Sequence, residues 1–212
     1  NIILAYIDGI SGLSEEKKVQ FKAEARFMRA FYYYHLAWNF GGIPIVTDYA
    51  SAGDEPRSSL KDVYEQLIIP DLEYASANLA EAGGLIANVS VDKYVAEAYM
   101  GRICNYLAAC KRYGTGANLV AEQPLNDFSW VNANAMSAKA KAALEDVCLN
   151  SPYILNPDYR MNFLEAAKSE QKKECMLLAE QPLSGSEGYW PNSFYIPTSV
   201  NPPAYPTTYG GR

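Results

Sequence analysis

The chain is poor in histidine and in basic residues. Its 212 residues contain one histidine, His35, and 18 Lys and Arg against 24 Asp and Glu, for a formal net charge of -6. One imidazole cannot build a zinc site on two or three histidines, and it leaves no spare base beside a catalytic triad. An acidic chain also lacks the basic surface that neutralises a phosphate backbone. These shortages weaken the hydrolase, metalloenzyme and nucleic-acid-binding interpretations, and no metal or cofactor is expected.

Cysteine is scarce, and its spacing carries no motif. Cys104, Cys110, Cys148 and Cys175 form no C-x-x-C pair. If Cys104 and Cys110 share a helix, their Cα atoms are separated by about 9 Å along the axis, whereas a disulfide needs roughly 7 Å or less. The sequence therefore predicts free thiols that pack as small hydrophobic groups.

Long apolar runs and targeting segments are also missing. No stretch approaches the ~20 apolar residues of a membrane span. The sequence opens at Asn1 without an initiator Met or a signal peptide. We therefore expect it to be a piece of a longer protein.

Aromatic residues are abundant instead. The chain has 17 tyrosines, and together with seven phenylalanines and three tryptophans they make up 13% of its residues. Tyrosine can bury its ring between helices and keep its hydroxyl in water, so packing accounts for part of this excess. Exposed rings beside polar side chains also suit the flat C–H faces of sugars, so ligand contact is a second explanation.

The first long helix is predicted over residues 14–40, with Ser14 as N-cap and Gly41-Gly42 as its end. Residues 43–47 follow as an extended segment. Two apolar stripes recur at three or four residues and predict a helix buried on most of its circumference. These stripes are Phe21, Ala25, Met28, Tyr32 and Leu36, and Phe27, Phe31, Tyr34 and Trp38.

Three further helices are predicted near residues 59–82, 91–113 and 134–148. Ser59 can cap the first of them, and Pro70 should kink or split it. Later segments are a helical turn at 159–167, a buried strand at 174–180 and a loop-rich tail from Pro182.

An internal match supports helical repeats. At an offset of 73 residues, Ala23-Glu24-Ala25 matches Ala96-Glu97-Ala98, and Arg29 and Tyr33 match Arg102 and Tyr106. This offset is roughly two repeats of about 34 residues, the length of a tetratricopeptide hairpin. The fold class is therefore predicted to be mainly α, with tetratricopeptide-like hairpins at 1–170 and a strand and Pro-rich loop region at 171–212.

The individual motifs favour structural roles over catalytic ones. His35 lies between aromatic stripes, where a packing or hydrogen-bonding role is the better interpretation. Gly41-Gly42 lacks the preceding strand of a phosphate loop, and the acceptor pattern at Asn88 recurs often by chance. Acidic pairs such as Glu15-Glu16 lie at helix starts rather than facing each other across a pocket. No enzyme is predicted.

The loop at residues 187–195 is the candidate binding site. Tyr189, Trp190 and Tyr195 lie among Gly, Pro, Asn and Ser, outside any helical period. Exposed rings on a loop point either to ligand stacking or to burial under further chain. The two interpretations stand about equal on this evidence.

Several segments resemble the SusD/RagB family. The most specific are AEARFMRAFYYY at residues 23–34 and FGGIPIVT at 40–47. The downstream segments that continue the resemblance are residues 63–68, 71–75, 96–102, 152–155 with 158–159, and 174–180.

The resemblance implies a surface lipoprotein of Gram-negative bacteria that binds oligosaccharides without catalysis and caps a TonB-dependent, SusC-like transporter in the outer membrane. Its lipid anchor and C-terminal part would lie outside this sequence. The alternative is a tetratricopeptide-like protein-protein scaffold with no ligand of its own. A helical-toroid glycosidase is a distant third, because facing acids are lacking.

Overall fold

Helices make up most of the computed structural model, which describes residues 1–51, 53–81, 90–114, 124–162 and 173–177. The α-helices within these ranges are α1 (Ile2–Tyr6), α2 (Glu15–Phe40), α3 (Leu60–Val63), α4 (Ile69–Asn78), α5 (Lys93–Tyr113) and α6 (Ala133–Asn150). Short 3-10 turns lie at Ile7–Gly9, Pro124–Asn126 and Tyr159–Asn162. None of the described helices has both the length and the apolar character needed to cross a membrane.

Polar side chains begin the long helices, and glycines end two of them. Ser14 accepts a hydrogen bond from the Lys17 amide at the start of α2, as predicted. Asp92 caps α5 through the Val95 amide, and Asn132 caps α6 through the Ala135 amide. Gly41 and Gly114 follow α2 and α5 with φ of 75° and 74°, a backbone region that suits glycine.

Pro70 does not split the second predicted helix, whose backbone stays helical through a π-helical turn just before it. Ser59 caps α3, and a π-helical segment, Tyr64–Ile68, connects α3 to α4. Pro70 lies in the first turn of α4, where its missing N–H costs least. The sequence of this helix contains an apolar stripe with one step of five residues, and all its members are buried: Leu60, Val63, Leu67, Leu72, Ala75 and Leu79.

The helices pack in chain order as two hairpins. Helix α2 packs against α4, α4 against α5, and α5 against α6, which confirms the mainly α, tetratricopeptide-like class. The core side chains with under 2% exposure include Tyr34, Tyr64, Phe27, Ile68, Leu72, Ile103 and Leu107.

Gly101 permits a close approach of Leu144 on α6 within the second hairpin. A Cβ atom added at Gly101 would lie 2.6 Å from Leu144 Cδ2 and 3.1 Å from its Cδ1. The alanine-rich sequence of α6 predicts this tight packing, and Ala140 is buried against the core. Small side chains on both helices thus set their separation.

The expectation that Tyr32, Leu36 and Trp38 mostly serve the core is wrong for the described structure. They are 59%, 44% and 50% exposed, and Phe31 is half-buried. The buried face of α2 is formed by Ala23, Phe27, Ala30, Tyr34 and Ala37, the face that meets α4 and α5. Periodicity identified the apolar stripes, but the described elements leave Tyr32 and Leu36 largely exposed.

The predicted strand at 174–180 is also wrong over its described part. Lys173 and Glu174 are helical, and residues 175–177 pair with no strand. The Ile154 amide donates to the Lys173 carbonyl, but this single bond starts no ladder. The Glu174 carboxylate instead accepts bonds from the Asn156 amide and the Asn162 side chain. Residues 178–180 lie outside the described ranges.

The chain divides into two compact units, Asn1–Leu178 and Ala179–Arg212. The second unit lies outside the described residues, and the predicted boundary at residue 170 stays a prediction. Cys104, Cys110 and Cys148 are in no disulfide; Cys104 and Cys110 are buried as predicted, whereas Cys148 is exposed. Burial raises the pKa of the Cys104 thiol to about 11, so this side chain stays neutral.

Candidate functional site

The sequence-predicted binding residues Tyr189, Trp190 and Tyr195 lie outside the described residues. Their role therefore stays a prediction. Three surface features formed by described residues are available for comparison, and each arises from helix spacing.

The first feature is a row of rings along α2 and α5, here called the aromatic face: Phe31, Tyr32, His35, Trp38, Tyr99 and Tyr106. Steps of four and three residues place Phe31, His35 and Trp38 on one side of α2 with Tyr32 beside them, and the seven-residue step from Tyr99 to Tyr106 is two turns of α5. Tyr99 meets both Phe27 and Phe31 edge to face, at ring-centre distances of 5.5 and 5.3 Å. Contacts between these rings therefore join α2 to α5.

His35 is part of this packing. Its ring lies 4.6 Å from that of Phe31 and 5.3 Å from that of Tyr34. The prediction of a packing role is confirmed by these contacts, which place the imidazole between aromatic rings.

The ring of Trp38 is half exposed and has a cation beside it. The guanidinium of Arg102 lies 5.6 Å from its ring centre, and Tyr106 lies 6.2 Å away. Burial raises the pKa values of Tyr99 and Tyr106 above the usual phenol range, so both hydroxyls stay protonated at neutral pH. Such a surface can stack against a sugar or an apolar protein segment, and it offers no nucleophile.

The second feature is a groove between α1 and α2 with a volume of about 450 Å³. Phe21, Met28 and Tyr32 supply apolar walls, and Glu24 and Arg29 supply polar groups. Burial raises the pKa of the Glu24 carboxyl, and its Oε1 atom is buried without a hydrogen-bond partner. In this groove, part of the apolar stripe of α2 that contains Tyr32 faces α1.

The floor of this groove is held by a buried ion pair. Arg29 binds Asp71 on α4 through Nε at 2.6 Å and Nη2 at 2.9 Å, and its Nη1 reaches Asn1 Oδ1 at 3.4 Å. Arg26 adds a weaker contact to Asp71 at 3.8 Å. Arg29 is therefore committed to the scaffold rather than free for a ligand.

The third feature is a polar cleft of about 300 Å³ between α4, α5 and α6. Lys93 Nζ lies 2.7 Å from Asp146 and 3.7 Å from Glu97, and Lys139 pairs with Glu73 across the cleft. Over the described ranges, no three His, Cys, Asp or Glu side chains are placed to hold a metal ion.

The meeting of Glu97 with Asp146 was not predicted from the sequence. The repeat match that paired Glu24 with Glu97 was a usable signal, since each of these carboxylates has one oxygen that is buried without a hydrogen-bond partner. The opposing residue, Asp146, lies 49 positions farther along the chain, and only the packing of α6 on α5 brings it close.

Comparisons with known proteins identify relatives of one kind. The model of the family SusD-like_3, described as starch-binding associating with outer membrane, matches residues 1–107. A SusD-like protein, P25, from Formosa agariphila is 34% identical over 83 residues, which are 38% of this chain and 16% of the relative.

Solved structures show the same fold. A SusD superfamily protein from Bacteroides fragilis superimposes with a TM-score of 0.67 at 22% identity, covering 93% of this chain and 37% of that chain. A structure solved with xylogluco-oligosaccharide gives a TM-score of 0.63 at 24% identity, covering 83% and 32%. The chain thus spans about a third of the length of these structures and less of the curated relative.

Proposed function

Because the chain belongs to the SusD-like family, we propose that it binds oligosaccharides at the bacterial surface and delivers them, without catalysis, to a TonB-dependent outer-membrane transporter. The family match over residues 1–107 carries this proposal. The structure solved with xylogluco-oligosaccharide supports it, since that relative has the same arrangement of helices.

The chemistry of the described surface agrees with binding rather than catalysis. On the aromatic face, burial raises the pKa values of Tyr99 and Tyr106, so these phenols remain neutral hydrogen-bonding groups. A neutral sugar is recognised by ring stacking and by hydrogen bonds from neutral or paired groups, and it needs no activated nucleophile. We propose outer-membrane attachment through a lipid anchor on the extracellular face.

The proposed sugar contacts are Tyr189, Trp190 and Tyr195. Gly188 and Pro191 flank the Tyr-Trp pair, and partial pre-ordering by proline lowers the entropy cost of binding. A lost stacking contact should weaken affinity by roughly 1 to 3 kcal/mol, by analogy with bases stacked on aromatic side chains.

Calorimetric titration tests these contacts after an array screen has identified a binding glycan, with maltoheptaose and a xylogluco-oligosaccharide as the starting probes. Trp190→Ala should raise Kd by about 5- to 150-fold and leave the melting temperature nearly unchanged. Tyr113→Ala is the matched control, because this tyrosine is 84% exposed at the end of α5, lies outside the aromatic face and should leave Kd unchanged. Equal affinity of Trp190→Ala and the unmodified protein would remove Trp190 from the site.

A protein-protein scaffold is the second candidate function. The exposed rings of the aromatic face favour it, because contiguous exposed apolar surface is typical of interaction sites. Purification from the native host in mild detergent separates the two. Recovery of a TonB-dependent transporter together with glycan binding supports the first, whereas a protein complex without any glycan binding supports the scaffold.

The absence of catalysis has its own test. Purified protein incubated with each bound oligosaccharide should release no reducing ends above a buffer control. Release that follows the protein through successive purification steps would contradict a purely binding role.

A further inference from the structure

The carboxyl groups of Glu97 and Asp146 meet between α5 and α6, inside the polar cleft. Glu97 projects from α5 and is only 14% exposed, and Asp146 projects from α6 and is 27% exposed. Both side chains line the same cleft and lie within ion-pair distance of the same ammonium, that of Lys93. Two ionised carboxylates repel each other and neither can donate a hydrogen bond, so a shared site of this kind favours a proton on one of them.

The local charge balance also calls for a proton. Lys93 is the cation of this group, at 2.7 Å from Asp146 and 3.7 Å from Glu97. Lys139 on α6 is already paired with Glu73 on α4. One ammonium therefore faces two carboxylates, which leaves an excess negative charge in a partly buried place.

The contacts of the two carboxyl groups assign the proton to Glu97. Asp146 lies nearer to Lys93 and accepts a second hydrogen bond from the side-chain amide of Asn150, so its ionised form is well stabilised. Glu97 Oε2 is buried without a hydrogen-bond partner, so burial penalises its charged form. Within the described ranges, Tyr94 on α5 is a further titratable group beside the pair, and Glu81 after α4 acts on Tyr94 in turn.

We propose that Glu97 and Asp146 hold one proton between them near neutral pH, so that the second hairpin packs more tightly in mildly acidic than in mildly alkaline solution. The proton comes from solvent and is bound to Glu97. The protonated carboxyl group of Glu97 then donates a hydrogen bond to the ionised carboxylate of Asp146. When it leaves, two like charges face each other across the contact between α5 and α6. This device acts in the scaffold and does not depend on the proposed glycan binding.

The direction of the pH effect follows from proton linkage. Burial and the neighbouring Asp146 raise the pKa of Glu97 from 4.5 to about 7, so between these values the folded chain holds a proton that the unfolded chain has lost. The contribution of Glu97 to stability therefore falls as pH rises from about 4.5 to about 7. Lys93 lowers the pKa of Asp146 to about 2, so Asp146 stays ionised throughout this window.

Carbon-13 NMR titration of the Glu97 carboxyl tests the shared proton directly. The midpoint should lie near pH 7, and Asp146→Asn should move it toward 4.5, because the repelling charge is gone and Lys93 remains. Glu145→Gln, an exposed site on the same helix, is the matched control and should leave the midpoint unchanged. A midpoint below 5 in the unmodified protein would overturn the proposal.

Amide hydrogen exchange in α6 tests the mechanical consequence. After correction for intrinsic rates, protection should be at least several-fold higher at pH 5.5 than at pH 8 in the unmodified protein. Glu97→Gln, which keeps a neutral group of the same shape, should make that protection independent of pH. Persistence of the same pH dependence in Glu97→Gln would show that another group controls it.

Discussion

Arg29 on α2 and Asp71 on α4 form a two-point ion pair, with Nε 2.6 Å from Oδ2 and Nη2 2.9 Å from Oδ1. The Asp71 side chain is 3% exposed and the Arg29 side chain is 17% exposed. Parallel bonds of this kind fix the orientation of both planar groups. The pair therefore defines how the two helices of the first hairpin meet.

Asp71→Asn should destabilise the protein by about 3 to 5 kcal/mol, because it leaves the largely buried Arg29 without its counter-ion. Urea unfolding measures this loss. Glu65→Gln is the control, since its pair with Lys61 is exposed and long at 3.9 Å and should contribute less than about 1 kcal/mol. Similar losses in the two variants would contradict the special role of the buried pair.

Phe27→Ala and Tyr32→Ala should differ sharply although both residues lie in apolar stripes of α2. Phe27 is 0% exposed and Tyr32 is 59% exposed. Truncation of the buried ring should cost about 3 to 5 kcal/mol, and truncation of the exposed one less than about 1 kcal/mol. Equal costs, measured by thermal or urea unfolding, would show that Tyr32 is buried in solution.

Gly101→Ala should destabilise the second hairpin by about 1 to 3 kcal/mol, because the added methyl group meets Leu144. Gly9→Ala provides the comparison, since a Cβ there has no neighbour within 4 Å. Differential scanning calorimetry measures the melting temperatures of both variants, and only that of Gly101→Ala should fall. An unchanged melting temperature for Gly101→Ala would mean that α5 and α6 are farther apart than described.

Tyr33→Phe should cost roughly 1 kcal/mol by removing one hydroxyl. This hydroxyl accepts a bond from the Val46 amide at 2.7 Å and donates to the Val46 carbonyl at 3.2 Å. Faster hydrogen exchange at the Val46 amide is the specific sign of the loss. Tyr32→Phe, which lacks such contacts in the described structure, should leave that amide unchanged.

Local signals in the sequence predicted most helix limits. Ser14, Ser59 and Gly41 act at the positions expected of them, because capping and left-handed backbone depend on residues only a few positions away. The ends of α6 differ from prediction by one or two residues, which is the normal range for helix termini.

Tertiary relationships were harder to predict for a physical reason. Periodicity shows that Tyr32 and Leu36 share an apolar stripe, but whether anything covers that stripe depends on other elements. Arg29 and Asp71 are 42 residues apart, and their charges carry no indication of which partner each selects. The candidate site residues Tyr189 and Trp190 follow no helical period, so the sequence supplied only their composition and surroundings.

The π-helical segment Tyr64–Ile68 accommodates one extra residue in the helix that runs from α3 into α4. The five-residue step from Leu67 to Leu72 would rotate later side chains away from the core in a continuous α-helix, yet both residues are buried. The wide turn absorbs that rotation, so the second half of the stripe regains its register. A one-residue length change is therefore accommodated here, whereas the same change inside α2 would turn Phe27 and Tyr34 onto different faces.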